Sequence, residues 1–589
     1  MTLPSSKVIT NTFVSGLLDH TTQPEGTTNY AYGSCGSQID TVTEGAESIA
    51  YTYDGTLLTG MTYQGELNQN ITQRYNNDFL IDSLSYAGAT TAISYDNDSL
   101  VTGIHGYTLG LNANNALPET VSDNTFVQTR GYNGYGEVTT TSTQVNNQST
   151  YDYALTYNDL GQIVTKQETL HNGSVNNYVY TYDPDRRWLS TVTKNNILVE
   201  NYAHDANGNR TLYTNTALNI NGKVPTYNIA DQLTSDGHIY DVDGYLTQKT
   251  INGVTTQYQY SSRGQLVSVQ APGTNITYQH NAMGNRVAKR VNGGITEKYL
   301  WQDKTTLLAV YNPDNSLKQR FEYTLGNTPT SFTQAGQKYY IVSDHLGSPR
   351  VITDSNGAVL KAYSFDAFGN RSTITDNNPT MEIPFGFAGG LYDTDTGLIR
   401  FGYRDYDSKT GRWTARDPIG LNGGDGDVYA YVFNDPVQLL DPIGLLAANH
   451  HFTTSYSAGV KSGMSILGAM AFAKNVVMVD KGTQSSSPKD TQHHVMVGDG
   501  QTVSEAAQMA SDLIHNVNGE FSLAERAHAL QDKAAPWHEG HGWNENTSIL
   551  EKSKHLMKDL FPGDDVMQKA SEYTTDLLEG RFNFCPTGS

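Results

Sequence analysis

Two cysteines in 589 residues, Cys35 and Cys585, exclude a disulfide framework and a Cys-rich zinc module. Positive charge is also scarce. The chain carries 38 Lys and Arg against 60 Asp and Glu, a net charge of −22, and charged residues make up only 17% of it. Generic grip on nucleic acid needs cations for the phosphates, so this balance argues against a non-specific nucleic-acid binder. The opening "MTLPSSKVITNTF" has neither a basic start nor an apolar core, so no secretory signal peptide is expected, and export needs another route or a longer parent chain. One long apolar run occurs, Gly463–Val479, and Lys474 and Asn475 interrupt it. Its length is near the lower limit for a membrane span, so it reads as a buried helix, with a membrane-active segment as the alternative.

Tyrosine and glycine are abundant: 38 Tyr against 17 Phe and 5 Trp, with 55 Gly. Thr and Tyr favour strands, and Asn-Gly and Asp-Gly favour tight hairpin turns. The pattern repeats. "YDGTL" at Tyr53, "YNNDFL" at Tyr75, "YDNDSL" at Tyr95, "YNDLGQI" at Tyr157, "YDPDRRWL" at Tyr182, "HDANGNR" at His204, "YDVDGYL" at Tyr240 and "HNAMGNR" at His280 are variants of one unit. Each is an aromatic strand end, an Asp/Asn/Gly turn and an alternating return strand. A lone hairpin is marginal in water, so an array of them must pair into a continuous sheet.

These units resemble the tyrosine–aspartate repeats of the Rhs/YD-repeat family. The resemblance tightens over "YYIVSDHLGSPRVITDSNGAVLKAYSFDAFGN" (Tyr339–Asn370). It is most specific over "GLYDTDTGLIRFGYRDYDSKTGRWTARDPIGLNGGDGDVYAYVFNDPVQLLDPIGL" (Gly390–Leu445). It implies a mainly β fold, a spiralling hairpin ribbon wound into a hollow cage over 1–389. A core terminus over 390–445 and a variable C-terminal toxin domain over 446–589 would follow. His345, in "DHLGSPR", reads as a turn histidine rather than a metal ligand.

The resemblance further implies self-cleavage after the closing D-P-x-G-L, here between Leu445 and Leu446. Paired carboxylates suit that reaction: one ionised Asp activates water while a protonated partner polarises the scissile carbonyl. The candidates are Asp417 in "RDPIGL" and Asp441 in "DPIGL", with Arg416 as a positioning group; Asp427 and Asp435 are alternatives. The plainer reading of both motifs is a turn in which Pro fixes φ after Asp.

After Leu445 the hairpin pattern stops. Thr502–Val517, Ser522–Asp532, Thr547–Phe561 and Asp565–Gly580 carry apolar residues at helical spacing, so the last 144 residues are expected to be mostly α. They hold nine of the sixteen histidines. His528 and Asp532, four apart, share one helix face, His538 follows Pro536, and His555 with Asp559 repeats the spacing. The pattern resembles the zinc-dependent phospholipase C and single-strand zinc nuclease superfamily. That resemblance implies an all-α phosphodiester hydrolase holding two or three zinc ions on His528, Asp532, His538, His555 and Asp559. His494 is the first choice upstream, ahead of His493, Asp499 and His515, and His541 is spare. The superfamily's N-terminal Trp ligand has no counterpart after Leu446. The tail carries 11 Lys and Arg against 17 Asp and Glu, which favours a lipid substrate over a nucleic acid.

The expected function is therefore an interbacterial toxin: autoproteolytic, exported without a signal peptide by a type VI spike-like carrier, and neutralised by a cognate immunity protein. The payload is expected to be a phospholipase. A nuclease payload, or a non-enzymatic adhesion scaffold with a helical or membrane-active tail, are the alternatives.

Overall fold

A computed structural model describes residues 3–445, apart from 34–37, 113–116 and 424. The expected helical domain, its zinc ligands and Leu446 lie outside the described residues. Apart from the hairpin tips 55–57 and 134–136, the described residues fall within one compact unit.

That unit is β throughout. Its strands form a 21-stranded sheet that starts at Thr10–Val14, a 14-stranded sheet from Ile239–Tyr240 to Arg371–Asp376, and a four-stranded sheet from Leu391–Tyr392 to Arg412–Trp413. Pairing joins chain neighbours antiparallel: Val138–Val145 pairs with Gln148–Tyr157, which pairs with Ile163–Leu170, which pairs with Val175–Tyr182. The hairpin array read from the repeats is therefore the architecture of this unit.

Each half of the Tyr-Asp pair has its own task. The residue after the aromatic caps its turn. Asn76 Oδ1 accepts from the amides of Asp78 (2.9 Å) and Leu80 (3.0 Å), and Asp96 Oδ1 does the same for Asp98 (2.9 Å) and Leu100 (3.0 Å). Such Asx turns satisfy amides that the ladder cannot reach. The tyrosine ties hairpin to hairpin: Tyr95 Oη donates to Ile81 O (2.8 Å), Tyr157 Oη to Val138 O (2.7 Å) and Tyr182 Oη to Ile163 O (2.7 Å). Each of these half-buried phenols finds its partner in a backbone carbonyl of an earlier strand.

Two large apolar clusters run through the unit. One gathers Tyr107, Phe126, Tyr151, Leu189 and Tyr340; the other gathers Trp301, Phe321, Phe332 and Ile352. Charges are buried as well. Arg350 Nη1 lies 2.9 Å from Glu168 and donates to Tyr151 Oη at 2.9 Å.

Candidate active site

The core terminus is threaded through the repeats rather than appended to them. Leu246 N donates to Thr414 O (2.9 Å) and Tyr429 Oη to Gly244 O (2.8 Å). Arg412 reaches Asn209 Oδ1 (3.1 Å) and Asp231 O (2.7 Å), and Asn434 Nδ2 donates to Gly208 O (3.0 Å). His345 Nε2 donates to Val437 O at 2.7 Å, which fixes the ring as a backbone anchor of this segment. An aromatic knot of Phe401, Tyr406, Trp413 and Tyr431 locks it, with the Tyr406 and Tyr431 rings 4.4 Å apart.

Within this frame Asp417 and Asp441 meet at one cation, Arg404. Its Nη2 lies 2.9 Å from Asp417 Oδ2 and 3.3 Å from Asp441 Oδ2. Its Nε donates to Gly444 O at 2.5 Å, and its guanidinium sits 4.1 Å from the Trp413 ring centre. All three ionisable residues are buried. The other oxygen of Asp441, Oδ1, accepts from the Leu445 amide at 3.1 Å. Asp441 thus spans from the shared guanidinium to the backbone of the residue before the expected scissile bond.

Burial pushes the Asp417 carboxyl up to about 6; Arg404 and the Ile419 amide pull it down, and the nearby Asp441 charge adds to the rise. A carboxylate with a pKa near 6 is a competent base close to neutrality. Beside it lies a small cavity lined by Arg404, Asp417, Asp425 and Asp427. It leaves about 10 Å³ for the centre of a water-sized sphere, room for one water. Burial also raises Asp425, to about 6.

The other candidates are placed differently. Asp427 pairs with Arg412, at 2.8 Å and 2.9 Å. Asp435 accepts from Gln162 Nε2 at 3.3 Å, and burial lifts it to about 7. The Arg416 amide donates to Gly244 O (3.3 Å), and its side chain passes beside Gly244; among the described residues no ion pair joins it to either carboxylate. The cation between the pair is Arg404, which the sequence reading passed over. Strand periodicity offered a signal. Arg404 and Tyr406 lie two apart in the strand Arg404–Asp407, so they share a face, and Tyr406 is core. An arginine on a core face needs buried carboxylates.

A profile of the Teneurin YD-shell family matches residues 5–437. The chain belongs to this family. Among curated relatives of this YD-shell chain, Teneurin-3 of Danio rerio is 31% identical over 269 residues, 43% of this chain and 10% of that protein. The tRNA3(Ser)-specific nuclease WapA of Bacillus spizizenii is 31% identical over 258 residues, 42% of this chain and 11% of that protein. A chain of the TcdB2-TccC3-Cdc42 crystal structure superposes with a TM-score of 0.62 at 16% identity, covering 79% of the YD-shell chain and 27% of that chain. At that identity the likeness is one of fold. The YD-shell chain thus spans about a tenth of the curated relatives and about a quarter of the solved one.

Proposed function

We propose that this YD-shell protein is a self-cleaving toxin that cuts its own chain between Leu445 and Leu446 and frees the 144 residues that follow. The carrying observation is the convergence of Asp417 and Asp441 on Arg404, with Asp441 bonded to the Leu445 amide. Asp417, beside the one-water cavity, takes a proton from water as the oxygen attacks the Leu445 carbonyl carbon. The same proton then passes to the Leu446 nitrogen as the C–N bond breaks, so the hydrolysis is balanced without a cofactor. Asp441 and Arg404 hold the backbone of Gly444 and Leu445 in line. The test is intact mass of the purified full chain over time. Fragments ending at Leu445 and starting at Leu446 are expected in the wild type, and an intact chain in Asp417→Asn.

The payload reading rests on the His528, Asp532, His538, His555 and Asp559 pattern: a zinc-dependent phosphodiester hydrolase of phospholipase C type, exported, carried by a spike-like component and held in check at home by an immunity protein. The nuclease alternative gains from WapA, whose name assigns it tRNA cleavage. A non-enzymatic adhesion scaffold is the competing class. Zinc content of the full chain, wild type against His528→Ala, with phospholipid and RNA degradation scored separately, divides the three. Zinc with lipid turnover supports the first reading, zinc with RNA turnover the second, and neither metal nor turnover the scaffold.

A further inference from the structure

A second buried cluster lies outside the carboxylate pair and has the opposite charge problem. Arg286 Nη2 (3.0 Å) and Arg400 Nη1 (2.6 Å) share the single carboxylate of Asp405. Among the described residues Lys304 Nζ has only a carbonyl as partner, Met283 O at 3.0 Å, and it lies 4.1 Å from the Tyr403 ring centre. Arg286, Arg400 and Lys304 are 3%, 4% and 3% exposed. Among the described residues Asp405 is the one carboxylate within ion-pair distance of Arg286 and Arg400, Asp393 adds its charge to Arg286 from beyond that distance, and Lys304 pairs with none. Among the described residues Arg400 Nε and Nη2, Arg286 Nε and His280 Nε2 have no hydrogen-bond partner. Buried charge without a counter-charge is among the costliest arrangements a core holds, and buried donors are almost always satisfied.

Arg400 and Lys304 line the same cavity, together with Thr305, Asn327, Gly402 and Pro442. It leaves about 20 Å³ for the centre of a water-sized sphere, more than one water needs. Two cations on one partly open pocket, one of them with guanidinium donors that have no partner among the described residues, make a receptor for a negative ligand. We infer that this cavity is a binding site for a small monovalent anion of chloride size, held between the Arg400 guanidinium and the Lys304 ammonium.

The electrostatics agree. Burial, then Arg400 and Arg263, push the Lys304 amine well below its ordinary value, so charge on it needs a counter-ion. The site also touches the core terminus. Pro442 belongs to the closing "DPIGL", and Gly402, at φ +41°, packs its Cα face against Ile443. A filled cavity therefore braces the segment on which Leu445 sits. The inference does not depend on cleavage, because the charge imbalance exists either way.

The probe is a halide. Crystals of the full chain grown in sodium bromide should give an anomalous peak between Lys304 Nζ and Arg400. In solution, replacing sodium gluconate by sodium chloride at constant ionic strength should raise the unfolding temperature by a few degrees and saturate. Lys304→Met should abolish that chloride dependence while remaining folded. If it fails to fold, the wild-type titration and the bromide peak still decide. A bromide peak with no chloride-specific shift in solution means an adventitious ion only and overturns the inference. No peak and equal unfolding temperatures in the two salts overturn it as well.

Discussion

Asp417→Asn is the sharpest perturbation of the cleavage proposal, because the structure separates its chemical effect from its structural one. Arg404 carries two buried carboxylates on one nitrogen. Removing one charge leaves the guanidinium still paired to Asp441, and Asn keeps an oxygen for the Ile419 amide, which donates to Asp417 Oδ1 at 2.9 Å. The fold should therefore survive. The base is lost, however, and a positioned general base accounts for about 10²–10⁴ in rate. At about 1.4 kcal/mol per decade this is ~3–5.5 kcal/mol of barrier. The assay is the rate at which full-length chain disappears after refolding, followed by intact mass. The pH dependence carries a second signature. The Asp417 carboxyl, raised by burial to about 6, is ionised above that pH and protonated below it. Wild-type cleavage should thus be flat above about pH 6 and fall about tenfold per unit below it. Wild-type rates in Asp417→Asn, or a rate that rises as pH drops through 6, would refute the assignment of Asp417 as the base.

Four other outcomes are expected. Arg350→Met takes from the buried Glu168 carboxylate the guanidinium at 2.9 Å and leaves it Lys166 at 3.8 Å, and should cost about 3–5 kcal/mol in urea unfolding. Gly402→Ala drives a Cβ into Ile443 O on a backbone at φ +41°, so it should lose about 1–3 kcal/mol and slow the proposed cleavage while leaving the far-UV spectrum unchanged. Glu200 is raised to about 8 by burial and then by Asp366. A raised folded-state pKa gives stability that is complete below the unfolded carboxylate value of about 4.3 and is lost as pH climbs through the folded one. Urea midpoints should therefore fall between about pH 5 and 8, and Glu200→Gln should flatten that fall. Tyr182→Phe removes one phenol tie, 2.7 Å to Ile163 O, and should cost about 0.5–1.5 kcal/mol by thermal unfolding.

How far the sequence was legible follows from the range of each interaction. The hairpin array was readable because its determinants are local: an Asx cap such as Asp96 acts on amides two and four residues ahead. The tyrosine ties were half legible. The residue recurs visibly, but its acceptor lies in an earlier strand, 14 residues back for Tyr95 and 19 for Tyr157. Asp417 and Asp441 both sit in Asp-Pro motifs, as Asp435 also does, and only the fold brings those two to one guanidinium. The counter-ion could not be named, since Arg416 is the neighbour in sequence and Arg404 the neighbour in space. The anion cavity was beyond reach of any motif. Lys304 and Arg400 are far apart in the chain, and only their shared burial reveals two cations with too little negative charge.

The same non-locality would make the proposed self-cleavage conditional on folding. Arg404 meets Asp417 and Asp441 only because the strand pair Ile399–Phe401 and Arg404–Asp407 is formed and the loop after Trp413 is pinned. That pinning is done by distant repeats: Gly244 through Tyr429, Asn209 and Asp231 through Arg412, Gly208 through Asn434, Gln162 through Asp435. Every one of these contacts crosses more than a hundred residues of chain. Loop-closure entropy disfavours them until the hairpins between have paired. A chain in which the repeats around residues 160–245 are not yet stacked has its carboxylates but not their shared guanidinium, and so has no cleavage site. Cutting after Leu445 would then report completion of the repeat array. Adding urea below the global unfolding midpoint, enough to open the terminal segment alone, should stop cleavage while the sheet signal persists.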